Sequence, residues 1–201
     1  MSAPAESRGT VRRAFVDSLP VLMGYTTMGF VAGVLLAAKG DIALAPLWAL
    51  LTAALWVTGT MNFAFVPLVA ARDPVTTLAL LTLAVNFRYA FYGFSMVSRW
   101  REVPFLRKCY LILMLTDENY ALEAANREEG PGFVRYCTLL SMMNHGYWIV
   151  GVTSGAVVVA VLGMLVDPDV IRGYTKGMEF AMAALFIVIF TDQMKWLVRH
   201  E

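Results

Sequence analysis

Four long apolar runs constrain this chain more than anything else in it. A helix crossing hydrocarbon needs about 20 mostly apolar residues, because the core is ~30 Å thick and each residue rises ~1.5 Å. Leu19–Ala38 meets that length with no formal charge, and Ile42–Ala71 exceeds it around one polar cluster, Thr58-Gly59-Thr60-Met61-Asn62. Pro74–Met96 is interrupted by Asn86 and Arg88, and Tyr136–Val166 carries only His145 as a group that charges near neutral pH. Met178–Phe190 forms a fifth, shorter core extended by Thr191-Asp192-Gln193, and a weak run, Cys109–Leu115, leads into Thr116-Asp117-Glu118-Asn119. A soluble domain of 201 residues has no interior large enough for four such segments. The expected fold class is therefore all-α: a polytopic integral membrane helix bundle with broken or re-entrant helices. It is expected to form a single transmembrane domain over 15–201 behind a flexible tail, 1–14.

Composition agrees. Residues of the AVILMFWYC set make up 59% and charged residues 15%, which excludes disorder and coiled coil. With 16 Lys+Arg against 15 Asp+Glu there is no global field for a polyanion, so nucleic acid is excluded as a partner. Arg12 and Arg13 before an apolar stretch resemble a signal peptide, but the run exceeds an ordinary h-region and reads as an uncleaved first span. Trp100 and Trp196, beside basic residues, read as interfacial anchors. Cys109 and Cys137 have no metal or redox spacing, and neither metal nor cofactor is expected.

Orientation follows from Arg8, Arg12 and Arg13 at one end and Arg99, Arg101, Arg107 and Lys108 in the densest basic loop. By the positive-inside rule both groups are cytoplasmic. Three runs lie between them, and three crossings would separate them. The conflict vanishes if Ile42–Ala71 turns back as a hairpin at Gly59-Thr60-Met61-Asn62; a steeply tilted crossing that breaks the rule is the alternative.

Polar residues within the apolar runs are the candidate site, since an ionisable group in hydrocarbon costs at least ~2.5–3.5 kcal/mol. Arg88 has the planar fork that holds a carboxylate bidentately, or else pairs with an acid such as Asp117, or snorkels. Asp117 and Glu118 are adjacent and cannot share one helix face; either can hold an ammonium group or a proton, or cap a helix behind Thr116. Asn62, Asn86 and Asn144 suit broken backbone or a polar ligand equally. His145 can shuttle protons or hold a helix break by hydrogen bonding. Gly29–Gly33 and Gly151–Gly155 fit the small-xxx-small pattern of close helix contact. HExxH, GxSxG and GxxxxGK[ST] are all missing from the sequence, so the parts for zinc proteolysis, serine hydrolysis and ATP hydrolysis are lacking.

Taken in order, Asp17-Ser18-Leu19-Pro20, a Gly-rich first span, Gly59-Thr60-Met61-Asn62-Phe63, Asn86-Phe87-Arg88-Tyr89-Ala90-Phe91-Tyr92-Gly93 and Leu115-Thr116-Asp117-Glu118 resemble the AzlC family, as does the late segment Gly177–Phe186. The resemblance runs from about Phe15 to Gln193. It implies the large subunit of a bacterial branched-chain amino-acid exporter in the inner membrane, working with a small AzlD-type membrane partner. Two departures stand out. Family members commonly read Gly-Ala-Ser-Gln-Phe where this chain has Gly59-Thr60-Met61-Asn62-Phe63, which alters pocket volume and hydrogen-bond reach. They also usually continue further at the C-terminus.

The resemblance and the residues together lead to one expectation. Arg88, Asn86 and the break at Gly59, Thr60 and Asn62 bind an α-carboxylate; Asp117 binds the ammonium; Asp117, Glu118 or His145 carries a coupled proton. Ile42–Ala71 and Tyr136–Val166 are candidate counterparts in an inverted repeat. Two rivals stand beside it: a channel or non-transporting structural subunit, and an intramembrane enzyme limited to Asp117, Glu118 and His145.

Overall fold

The computed structural model describes residues 3–55, 59–181, 183–184, 187–188, 191 and 194–195; every structural statement below concerns these. All regular elements among them are helical. α1 runs Ala3–Lys39, so it includes much of the stretch read from composition as a tail, and carries Pro20 inside it. Then come α2, Ala45–Leu55; α3, Gly59–Ala70; α4, Val75–Asn86; α5, Arg88–Met96; α6, Phe105–Leu113; α7, Asp117–Ala125; α8, Gly130–Leu162; α9, Pro168–Tyr174; and a 3-10 turn, Met178–Phe180. α1 and α8 are long and apolar enough to cross a membrane, and α4 with α5 forms a third such length bent by 44°. The Met178–Phe190 run is only partly described, and Trp196 lies outside the described residues.

The centre of the bundle is the crossing of α1 and α8, and its closeness follows from the four glycines. A Cβ on Gly33 would overlap the Val152 carbonyl oxygen, and one on Gly155 would overlap that of Phe30. With no hydrophobic force between helices in lipid, backbone-to-backbone approach over small residues is what holds such a pair. Around it lie two cores. At one end Ala32–Ala38 of α1 pack with Trp148–Val159 of α8, Ala45, Ala49 and Ala53 of α2, and Phe63 and Val66 of α3. Residues from both halves of Ile42–Ala71 thus contribute to this core. Gly59–Asn62, the expected site of the turn, are helical as the first turn of α3; residues 56–58 lie outside the described ones.

At the other end Ala14, Met96, Trp100, Leu111, Leu115, Phe133, Tyr136, Cys137 and Leu140 form the second core. Here Arg13 pairs with Glu128 at 2.5 Å, and Arg99 donates to the carbonyls of Glu123, Asn126 and Glu128 at 2.9, 2.7 and 2.7 Å. Arg99 also lies 3.5 Å over the Phe133 ring. Arg13 and Arg99, one from each basic group, thus meet at Glu128. Trp100 is no interfacial anchor: it is 0% exposed, in the middle of this core. Cys137 is buried as a small hydrophobe, while Cys109 is exposed.

Candidate functional site

The site forms where two chain breaks meet. α4 ends at Asn86, the backbone bends at Phe87, and α5 opens with Arg88. α7 opens opposite it, with Thr116 as N-cap accepting from the Asn119 N–H. Asp117 and Glu118 thus occupy the first turn of α7, where the helix dipole favours negative charge. Successive residues on a helix point about 100° apart, and the two carboxylates diverge accordingly.

Asp117 faces α5. Its Oδ2 accepts from Arg88 Nη1 at 2.7 Å and its Oδ1 from the Tyr92 hydroxyl at 2.7 Å. Tyr92 stands one helical turn beyond Arg88, and its ring stacks on Tyr120 of α7 with centroids 4.3 Å apart. The guanidinium lies 5.3 Å over the Tyr89 ring. Arg88 and Asp117 keep 34% and 36% of their side-chain surface exposed, so the pair stays reachable. Nε of Arg88, away from the bonded Nη1, is buried and has no partner. One edge of the fork is therefore committed to Asp117, and Nε lies buried behind it.

Glu118 faces α1 instead. The Tyr25 hydroxyl lies 2.8 Å from both Glu118 Oε2 and Thr116 Oγ1, and the Tyr25 ring meets Trp148 of α8 edge-on at 5.7 Å. Asn119, a further residue of that turn, donates to the Met114 carbonyl and accepts from Asn144 Nδ2 of α8.

Of the residues singled out by sequence, Arg88 and Asp117 meet directly, with Glu118 beside them on the same turn. Asn86 closes α4 two residues before Arg88. Gly59, Thr60 and Asn62 open α3 in half-buried positions, and Asn62 and Asn86 both have interaction partners. His145 is not at a helix break, because α8 is continuous from Gly130 to Leu162. Its Nδ1 lies 3.4 Å from the Tyr110 hydroxyl of α6 and its Nε2 has no partner. Its hydrogen-bond neighbour is thus α6 rather than the carboxylates of α7. Sequence reasoning passed over Tyr25, Tyr92, Thr116 as a partner, and Asn119. Tyr92 had a signal, four residues after Arg88 and so on the same helix face.

Charged and polar groups gathered at a bent helix in a membrane bundle are an arrangement that membrane carriers use. The AzlC protein family model matches residues 20–162. The chain belongs to the AzlC family. The branched-chain amino acid transport protein AzlC of Bacillus subtilis (strain 168) is 32% identical over 195 residues, covering 94% of this chain and 70% of that one. An uncharacterized membrane protein of Helicobacter pylori (strain ATCC 700392 / 26695) is 33% identical over 195 residues, covering 94% and 79%. The inner membrane protein YgaZ of Escherichia coli (strain K12) is 24% identical over 192 residues, covering 92% and 73%. No solved structure matches.

Proposed function

We propose that this chain exports branched-chain or other small hydrophobic amino acids across the bacterial inner membrane, as a multi-pass carrier with a cytoplasmic N-terminus, coupled to protons and working with a small AzlD-type subunit. The observation that carries the reading is the Arg88–Asp117 pair at the bend between α4 and α5, partly exposed and so within reach of a solute. A zwitterion entering between the two exchanges one ion pair for two. Its carboxylate takes Arg88, its ammonium takes Asp117, and no charge is left unpaired in a medium where that is severe. Asn86 at the end of α4 and the first turn of α3, Gly59, Thr60 and Asn62, are the further polar groups assigned to the carboxylate. Tyr92 steadies Asp117 by its 2.7 Å hydrogen bond. The meeting of Arg13 and Arg99 at Glu128 supports a cytoplasmic N-terminus. The Bacillus relative's name supports the substrate class.

The test is counterflow of radiolabelled valine in proteoliposomes, with and without the small subunit. Wild type should exchange valine, and Arg88→Ala should lower exchange at least 100-fold. Arg88→Ala exchanging at the wild-type rate would sink the carboxylate role. Flux through the wild type that never saturates and ignores a proton gradient would instead make it a channel.

A further inference from the structure

Beyond the ion pair, α7 carries a buried acid that the exchange above does not use. Thr116, Asn119, Glu123 and Asn126 recur at helical spacing along one face of α7, and all four are buried, Glu123 at 1% exposed. Cys137, Ser141 and Asn144 form the matching buried face of α8. Asn119 meets Asn144 through a hydrogen bond, and one turn further Glu123 lies against Cys137. Glu123 Oε2, Asn126 Nδ2 and Ser141 Oγ on this seam have no hydrogen-bond partner. Among the described residues no salt bridge reaches the Glu123 carboxylate. The nearest cation, Arg99, spends its Nη groups on the carbonyls of Glu123, Asn126 and Glu128.

An ionised carboxylate so placed has neither water nor a salt-bridge partner, and leaving a charge there costs several kcal/mol. A protonated one fits. Burial pushes the Glu123 carboxyl up to about 8, against the opposing pull of Cys137 from α8 and Arg99 from the turn after α5. Of the other charged groups at this end, Arg13 pairs with Glu128 and Asp17, Asp17 accepts from the Tyr136 hydroxyl, Arg107 donates to Thr138, and Lys108 donates to the Arg101 carbonyl. α7 itself is nine residues long and holds Asp117 and Glu118 at its other end. Glu123 lies less than two helical turns along α7 from Asp117 and its ion pair with Arg88.

We propose that Glu123 is the proton-binding site of this carrier: neutral while α7 lies docked on α8, and on ionisation releasing α7 from α8, and with it Asp117 from Arg88 and Glu118 from Tyr25. The step is a simple proton exchange. The carboxylic O–H of Glu123 gives its proton to water at the cytoplasmic or the opposite face, and the carboxylate regains one when α7 redocks. The inference rests on the carrier reading, since it names the group that couples transport to the proton gradient.

Two measurements on the full-length protein keep the two readings apart. The first is infrared difference spectroscopy of the purified protein over a pH titration. A protonated-carboxyl band that persists at neutral pH, disappears with a midpoint near 8 and is absent from Glu123→Gln is the expected result. No such band, or one unchanged in the variant, overturns the proton site whether or not valine is transported. The second is valine accumulation in proteoliposomes under an imposed pH gradient. A one-proton carrier accumulates about tenfold per pH unit, and Glu123→Gln, which stays neutral at every pH, should reduce that ratio to one. Glu123→Gln accumulating valine at the wild-type ratio overturns the proposal and leaves the carrier reading intact. Wild type that moves no valine at all overturns the carrier reading, and the proposal that depends on it.

Discussion

Replacing Gly33 by alanine adds a single methyl group where α1 crosses α8, and its effect can be worked from the backbone. That Cβ would overlap the Val152 carbonyl oxygen and lie 2.8 Å from its carbon and 2.9 Å from the Ala156 nitrogen. Neither neighbour is a flexible side chain that can turn aside; both are backbone of a continuous helix. Ordinary contact therefore requires the two helices to part by ~1 Å, and a gap of that size forfeits roughly a quarter to a half of each dispersion contact. The residues that pay are Leu35, Trp148, Val152, Ala156 and Val159, all at most 3% exposed. With about 40 atom pairs across the crossing at ~0.15 kcal/mol each, losing about a third gives ~2 kcal/mol, within the ~1–3 kcal/mol typical of overpacking. Alanine's better helix propensity works the other way by up to ~1 kcal/mol.

Gly24→Ala on the same helix isolates that opposing term, because nothing lies within 4 Å of its Cβ. The expected difference between the two variants is ~2 kcal/mol, or about 4–8 °C in the midpoint of thermal unfolding for a chain of this size. Fluorescence-detected thermal melts in detergent measure it directly. Gly33→Ala should melt below wild type, and Gly24→Ala at or above it. The double variant Gly33→Ala/Gly155→Ala should lose less than the sum of the single losses, since both methyls force the same separation. A Gly33→Ala melt equal to that of Gly24→Ala would refute the close crossing.

Two further outcomes follow from the site. Asp117→Ala should destabilise more than Arg88→Ala/Asp117→Ala, because the single change strands a guanidinium whose acidic partner stood 2.7 Å away and the double change removes both charges; a double-mutant cycle of melts with no coupling would refute the pairing. Glu123 gives a pH dependence with a definite sign: folding raises its carboxyl from 4.5 to about 8, so between those values the folded state holds a proton that the unfolded state has lost. Stability from this group is complete below about 4.5, falls as pH rises by at most ~1.4 kcal/mol per unit, and levels off above about 8. Glu123→Gln should melt at a midpoint less dependent on pH across that window, and an unaltered dependence would refute the assignment.

The parts of this fold legible in the sequence are those that depend on one segment at a time. Apolar run length marked α1, α8 and the bent α4–α5 pair, and small-residue spacing marked the crossing, because i and i+4 positions share a face whatever the partner. The requirement that charges in lipid be paired brought out Arg88 and Asp117 before any contact was known. What escaped depended on neighbours. Trp100 looked like an anchor because it stands among arginines, yet Arg99 turns inward to three carbonyls and draws its neighbour into the core. His145 looked like a break because Asn144-His145-Gly146 is polar, but Asn144 turns to Asn119 and His145 to Tyr110, so the helix keeps its own backbone bonds. Glu123 was not singled out in the sequence, and only the packing of α7 on α8 reveals it as buried.

The same packing bears on which solutes the site can accept. An isolated anion reaching Arg88 would have to displace Asp117, leaving that carboxylate with the Tyr92 hydroxyl alone, and an isolated cation would strand Arg88 in the same way. A neutral apolar molecule has nothing to offer either charge and leaves the pair closed. A zwitterion can part the two and satisfy both, provided its opposite charges are close together, as they are on one α-carbon. Discrimination by charge geometry then comes from the pair itself, and discrimination by side chain is left to the apolar walls. A hydrophobic pocket distinguishes one methylene by only about 1–3 kcal/mol, so the carrier proposed here should accept leucine, isoleucine and valine with affinities within about two orders of magnitude. The same physics sets a harder boundary at amino acids whose side chain carries a charge. Those bring a third ion to a site that balances two, and exchange assays comparing valine with lysine and glutamate should show that loss well before any preference among the aliphatic three.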